Sequence, residues 1–282
     1  MQQIERFYPI GTPGQPWGEA ERAQWRASQR RQRSHATEVV DAIEHLRTHW
    51  DVEVYGQLDY APDSYPLLAL HSSDWDDSRP VALITGGVHG YETSGVMGAL
   101  KFARDHVDDY AGRLNLLVVP CVSPWGYERI QRWNAGAVDP NRSFRAHSPA
   151  MEAAALMHLV APLAGRFLVH IDLHETTDSD ESEFRPALAA RDGKPFEPGG
   201  IPDGFYLVDD SENRQPRFQQ AMASDPAKSL ALPPFWSAPA GTSSSVEPPV
   251  WSMPMRIFWP SFSPSRKISS RTGAPSGGSM AK

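Results

Sequence analysis

The chain has 282 residues, room for one large α/β domain or two small ones, and its 40% hydrophobic and 22% charged residues are the balance of a globular protein with a sizeable core. A formal net charge of -7 supplies no basic footprint, which argues against nucleic acid or an anionic membrane as partner. One cysteine, Cys121, excludes an intrachain disulfide framework and a cysteine-rich metal site.

From Met1 to Pro13 no basic stretch runs into an apolar one, and no window reaches the ~18 apolar residues of a membrane span. A cytoplasmic enzyme is the natural expectation. Trp17 to Arg33 is polar and Arg-rich. Glu38 to Trp50 is patterned as a helix, with Val39, Val40, Ile43, Leu46 and Trp50 at helical spacing. Short β-type runs follow at Val52 to Tyr55, Leu67 to Leu70 and Val81 to Thr85, the last ending in Gly86-Gly87. Glu92 to Val107 reads as a helix and Leu114 to Pro120 as an apolar strand. Ser148-Pro149 is a helix start, with the hydroxyl as N-cap and proline at the first helical position. Phe167 to Leu173 is a further strand leading into His174. Strands alternating with helices predict a mostly parallel or mixed sheet covered on both faces.

Residues 231–282 differ from the rest. They hold 9 of the 26 prolines, 12 serines, and a single acid, Glu247. Such composition predicts a poorly ordered tail, or an aberrant reading frame, since GC-rich codons read out of frame give Ser/Pro/Arg-rich sequence. The expected division is therefore a catalytic domain over 1–230 and a Pro/Ser-rich C-terminal segment over 231–282.

Chemistry enters at Thr85-Gly86-Gly87-Val88-His89-Gly90-Tyr91-Glu92, where a strand ends, turns on glycines, and presents a His and a Glu three apart. A catalytic zinc takes three N/O ligands of this kind and keeps one position open for water. Alone, His-x-x-Glu reads better as a surface His beside a solvated helix-start Glu, and only a third ligand reverses that. A third ligand is offered by His170-Ile171-Asp172-Leu173-His174-Glu175. In a strand, His170, Asp172 and His174 share one face, and burying three polar groups there is expensive unless something binds them. His174, at the strand's end, is the best placed to reach a site at the sheet's edge. Asp172 or His170 would orient a ligand. His170 itself reads best as a hydrogen-bonded core histidine, and Glu175 as either an exposed loop acid or a supporting group.

Between these lie Ser123-Pro124-Trp125-Gly126-Tyr127, Arg132 and Asp139-Pro140-Asn141-Arg142. Arginines and an Asn in a Gly-containing loop suit recognition of a carboxylate, through a planar fork and a neutral donor. Arg129 reads as an ordinary surface arginine, whereas Arg132 and Arg142 are singled out by their order relative to the metal motifs.

That order resembles the zinc metallocarboxypeptidases. The Gly-Gly-Val-His-Gly-Tyr-Glu turn and Asp172-Leu173-His174-Glu175-Thr176-Thr177 are especially similar to their relatives, the succinylglutamate desuccinylases and aspartoacylases, over roughly residues 80 to 180. The resemblance implies a single α/β domain, a mixed central sheet flanked by helices, with zinc on His89, Glu92 and His174. It implies that Arg132 polarises the scissile carbonyl or steadies the oxyanion, and that Asn141 and Arg142 clamp the substrate's terminal carboxylate. The family's general base is a Glu late in the chain, on a strand followed by a helix. Only Glu247 is available after residue 230, and no helical pattern follows it. Three readings stay open: a peptidase acting beside a free carboxylate, an N-acyl amino acid deacylase, or a metal-binding protein without turnover. The first two differ in what closes the pocket, and the mixed-charge stretch from Thr176 to Gln219 is the part that decides between them.

Overall fold

The computed structural model describes residues 6–200, 206–209, 214–224 and 254–257. Helix α1 spans Glu19–Ser28, and a π-turn over Ala36–Val40 runs into a short α2, Asp41–Glu44. Then come β1 (Trp50–Tyr60), β2 (Asp63–Ser72), β3 (Val81–Gly86), α3 (Thr93–Asp105), β4 (Asn115–Val119), α4 (Pro124–Arg129), α5 (Met151–Val160) and β5 (Phe167–Leu173). A π-turn over Asp180–Phe184 leads into α6 (Arg185–Arg191), followed by β6 (Tyr206–Val208), α7 (Pro216–Ser224) and β7 (Pro254–Ile257).

The strands form one mixed sheet in the order β1-β2-β4-β3-β5-β7-β6, with β3 parallel to both β4 and β5 and an antiparallel hairpin, β1-β2, at one edge. This is the expected α/β architecture. Alternation along β3 and β4 divides the core between two faces. Ala82, Ile84, Leu116 and Val118 join α3 and Ile43 on one face. Val81, Leu83, Leu117 and Val119 join Leu156 and Val160 of α5 on the other. Among the described residues, no helix is long and apolar enough to cross a membrane.

Four expectations need correction. The helix predicted over Glu38 to Trp50 stops at Glu44, and Trp50 instead opens β1, fully buried with its indole N–H donating to Ala103 O at 2.9 Å. Its spacing from Ile43 imitated a helical period. Helix α5 begins at Met151, because Ser148 spends its hydroxyl on a local turn with Ala150. The β1-β2 hairpin is longer than its apolar runs, since its outer residues face solvent and carry polar side chains. Finally, the Arg-rich segment contains α1, which buries Trp25 in an aromatic cluster with Trp17, Trp125 and Trp133. Apart from the backbone of β7, which pairs with β5, the Pro/Ser-rich segment 231–282 and Glu247 lie outside the described residues.

Behind the site, His35 is buried with its ring edge-on to Tyr65 and Tyr127. Burial pushes its imidazole down from 6.5 to about 4. The unfolded chain therefore binds the proton more strongly between those values, and stability falls as pH falls through that window, by roughly 3 kcal/mol. His35→Phe should flatten this part of the stability profile in denaturant titrations at pH 7 and pH 4.5. A profile as steep as the wild type's would contradict the assignment.

Candidate metal centre

Strands β3, β4 and β5 run parallel, so the loops leaving their carboxyl ends meet at one edge, where open α/β sheets bind ligands. The first loop turns at Gly87, whose φ of +61° suits glycine. It carries His89 and Glu92 inward to 1% exposure each, and β5 delivers His174 at 4%. One ligand atom from each of the three lies within 4.8 Å of the others.

The orientation of the imidazoles is informative. Nδ1 of His89 lies 2.7 Å from Glu92 Oε1, and Nδ1 of His174 lies 2.8 Å from Glu92 Oε2. On the opposite side of each ring, Nε2–H donates to a carboxylate: Asp139 Oδ1 at 3.0 Å for His89 and Asp172 Oδ2 at 2.6 Å for His174. Asp172 is itself fixed by the Thr85 hydroxyl at 2.7 Å. A carboxylate behind each imidazole sets the ring angle and leaves the other nitrogen for a cation.

Electrostatics agree with that arrangement. Burial raises the Glu92 carboxyl, but His174 and His89 outweigh it and hold the group at about 2. Burial lowers His174, and Asp172 with Glu92 reverse this and push it up to about 10. Asp172, raised by burial, is brought down to about 2 chiefly by His174. Buried charges of this density require pairing or a metal. Glu92 Oε2 is buried and makes no well-aligned hydrogen bond among the described residues; its neighbour is the charge of His174, whose Nδ1 lies 2.8 Å away. Two imidazole nitrogens turned toward one buried carboxylate, each ring held from its far side, are a donor set that fits a divalent cation.

Asp139 extends the site. Its Oδ1 accepts the backbone N–H groups of Asn141 and Arg142 at 3.0 and 3.3 Å, and its Oδ2 accepts Arg132 Nε–H at 3.2 Å. Arg132 Nη1 donates to Tyr91 Oη at 2.8 Å, and Tyr91 donates to Asp180 Oδ1 at 2.7 Å. Asn141 Nδ2 is buried without a partner among the described residues. Arg142 is exposed.

The structure thus brings together His89, Glu92 and His174, joins Arg132 to them through Asp139, and attaches Asn141 and Arg142 to the same carboxylate by their backbone amides. Asp172 is the orienting group for His174, and His170 is the hydrogen-bonded histidine expected, its Nε2 2.9 Å from Thr85 Oγ1. Glu175 is not an exposed acid: it is 4% exposed and accepts Ser94 N–H and Oγ–H at 2.9 and 2.8 Å, tying the end of β5 to the start of α3. Arg129 is no surface arginine either; it donates to Tyr65 Oη at 2.9 Å, pairs with Asp63 and stacks over Trp125. Its environment is structural and lies away from the metal trio.

Sequence reasoning missed Arg33, Tyr91, the bracing role of Asp139, and Asp180. Arg33 grips the metal turn from behind, donating to Gly90 O at 2.8 Å, Thr93 Oγ1 at 2.6 Å and Tyr127 O at 2.6 Å. Only Asp139 and Tyr91 had a readable signal, since both sit inside the motifs that place their neighbours.

Residues 78–193 match the family model of the succinylglutamate desuccinylase/aspartoacylase catalytic domain, so the family resemblance carried by the motifs is borne out. No curated protein matches the chain. Among solved structures, a candidate metallopeptidase from Shewanella denitrificans OS217 shares 18% identity at a TM-score of 0.50, covering 78% of this chain and 79% of that one. A candidate carboxypeptidase A from Shewanella denitrificans OS-217 shares 17% identity at a TM-score of 0.50, over 77% of this chain and 58% of its own. A candidate metallopeptidase from Shewanella baltica OS155 shares 23% identity at a TM-score of 0.40, over 48% and 56%. The chain thus spans a little over half the length of two of these three proteins, and the first two likenesses are of fold.

Proposed function

We propose that the protein is a zinc-dependent hydrolase that cleaves an amide or peptide bond next to a free carboxylate, as a metallocarboxypeptidase does. The observation that carries this reading is the convergence of His89, Glu92 and His174, each imidazole braced by a carboxylate of its own. Zinc held by these three would supply a Lewis acid and a bound water of lowered pKa. The chain's own groups divide the remaining work. Arg132, fixed by Asp139, offers a preorganised positive charge to the carbonyl oxygen as it gains charge. Asn141 Nδ2 and the Arg142 guanidinium receive the substrate's carboxylate. Glu247, outside the described residues, is our proposed base, taking a proton from water and passing it to the leaving amine. The cytoplasm is the compartment we assign, where a chain whose one thiol is buried needs no oxidising environment.

The family match over residues 78–193 favours a second reading, deacylation of a small N-acyl amino acid by the same residues. Metal analysis is expected to give about one zinc per chain, lost in His89→Ala. Hydrolysis of dipeptides supports the first reading, and hydrolysis of N-acetyl or N-succinyl amino acids the second. Zinc without turnover on either panel would leave a binding protein, and absence of metal from the wild type would overturn both. Glu247→Gln should abolish turnover with zinc retained; unchanged rates remove that residue from the mechanism.

A further inference from the structure

A cleft of about 180 Å³ opens beside Arg132, walled by Tyr8, Trp25, Trp133 and Phe184, with Glu183 also on its lining. Apart from Arg132, its lining residues are ones that the reading above leaves unused. Its walls pack against one another. Trp133 meets Trp25 and Phe184 edge-on, with ring centroids 5.4 and 5.3 Å apart, and the Arg132 guanidinium lies 4.5 Å over the Phe184 ring. Trp133 Nε1 is buried with no hydrogen-bond partner among the described residues, in a side chain only 2% exposed. Arg132 therefore belongs to two environments at once, bonding toward the metal trio through Asp139 and forming one wall of the cleft.

We infer that this cleft is the acyl-side subsite, and that it selects an aromatic or bulky apolar acyl group over acetyl or succinyl. The inference rests on the reading of Arg132 as the carbonyl's partner and of Asn141 and Arg142 as the carboxylate's. Neither Asn141 nor Arg142 lines the cleft. A substrate whose carboxylate meets that pair and whose carbonyl meets Arg132 directs the remainder of its acyl part into the aromatic walls. The volume suits one ring, since roughly 150 Å³ of apolar cavity suffices for benzene. Flat aromatic walls reward edge-on and stacked contacts that an acetyl group cannot make. Glu183 on the lining opposes a second carboxylate such as succinyl carries, and Asp180, 3.6 Å from Arg132 Nη1, already pairs that guanidinium.

The test compares N-benzoylglycine, N-acetylglycine and N-succinylglycine on the zinc-loaded full chain. Water adds to the carbonyl and the C–N bond breaks, so N-benzoylglycine yields benzoate and glycine. The expected kcat/KM ranks N-benzoylglycine at least about tenfold above the other two. Binding of N-benzoylglycine to metal-free protein, followed calorimetrically, provides a readout independent of turnover. Ser182→Trp, which crowds the mouth from an exposed position, and Phe184→Ala should each weaken that binding about tenfold or more, with zinc content unchanged. Equal rates on benzoyl and acetyl substrates would overturn the subsite while leaving the hydrolase reading intact. Benzoylglycine binding that both variants weaken, without any hydrolysis, would support the subsite and count against the hydrolase. Binding indifferent to both substitutions would overturn the subsite.

Discussion

Gly90→Ala is expected to disable the metal turn and destabilise the whole protein by about 3 kcal/mol or more. A methyl group at this position would lie 2.0 Å from the carbonyl carbon of Gly126 and 2.1 Å from Tyr127 N. Both are backbone atoms, so no rotamer change relieves the overlap; either the His89–Glu92 turn or the start of α4 must move. Because the same turn aims two of the three ligands, metal binding should fail along with stability. Denaturant midpoints and metal content of the purified variant check this together. A wild-type midpoint with full metal content would show that the two loops do not meet as described.

The second large effect is expected from Arg33→Met. The substitution keeps much of the apolar stem but removes donors from Gly90 O, Tyr127 O and Thr93 Oγ1, and it ends the stacking of the guanidinium 3.6 Å over the Tyr127 ring. Hydrogen bonds to charged groups contribute about 1.5–3 kcal/mol each, and these are only partly buried, so a loss of about 3 kcal/mol is expected. The loosened turn should also weaken metal affinity about tenfold, near the lower bound for groups that steady a ligand from outside. Arg33→Lys should recover only part of either loss, since an ammonium cannot reach three acceptors with a planar fork. Competition titration with a chromophoric chelator measures the affinity; equal values for all three proteins would mean that the turn holds itself.

These two residues also mark where sequence reading succeeds and where it stops. His89, Glu92 and His174 were legible because a metal demands particular donor types, and β-strand alternation aligned Asp172 with His174. Strands β3 and β4 were legible as unbroken apolar runs. Helix α1 was not, because its buried surface is mainly Trp25 among charged neighbours, and what covers it is Trp125 and Trp133 from a hundred residues away. Arg33 was hidden for the same reason. In a chain with 22 arginines, nothing local separates one that grips a distant turn from those on the surface. Asp180 depends on how the mixed-charge stretch after His174 folds back, which no periodicity encodes.

Asp139 holds the far nitrogen of His89, the Nε of Arg132 and the amides of the Asn141–Arg142 turn at the same time. Any molecule that draws on the guanidinium or shifts that turn alters how much negative charge remains for the imidazole, and a cation held by that imidazole would respond. By thermodynamic reciprocity the reverse holds to the same degree. Cation and organic ligand are therefore expected to bind as a coupled pair, each changing the other's affinity by the same factor through a single shared anion.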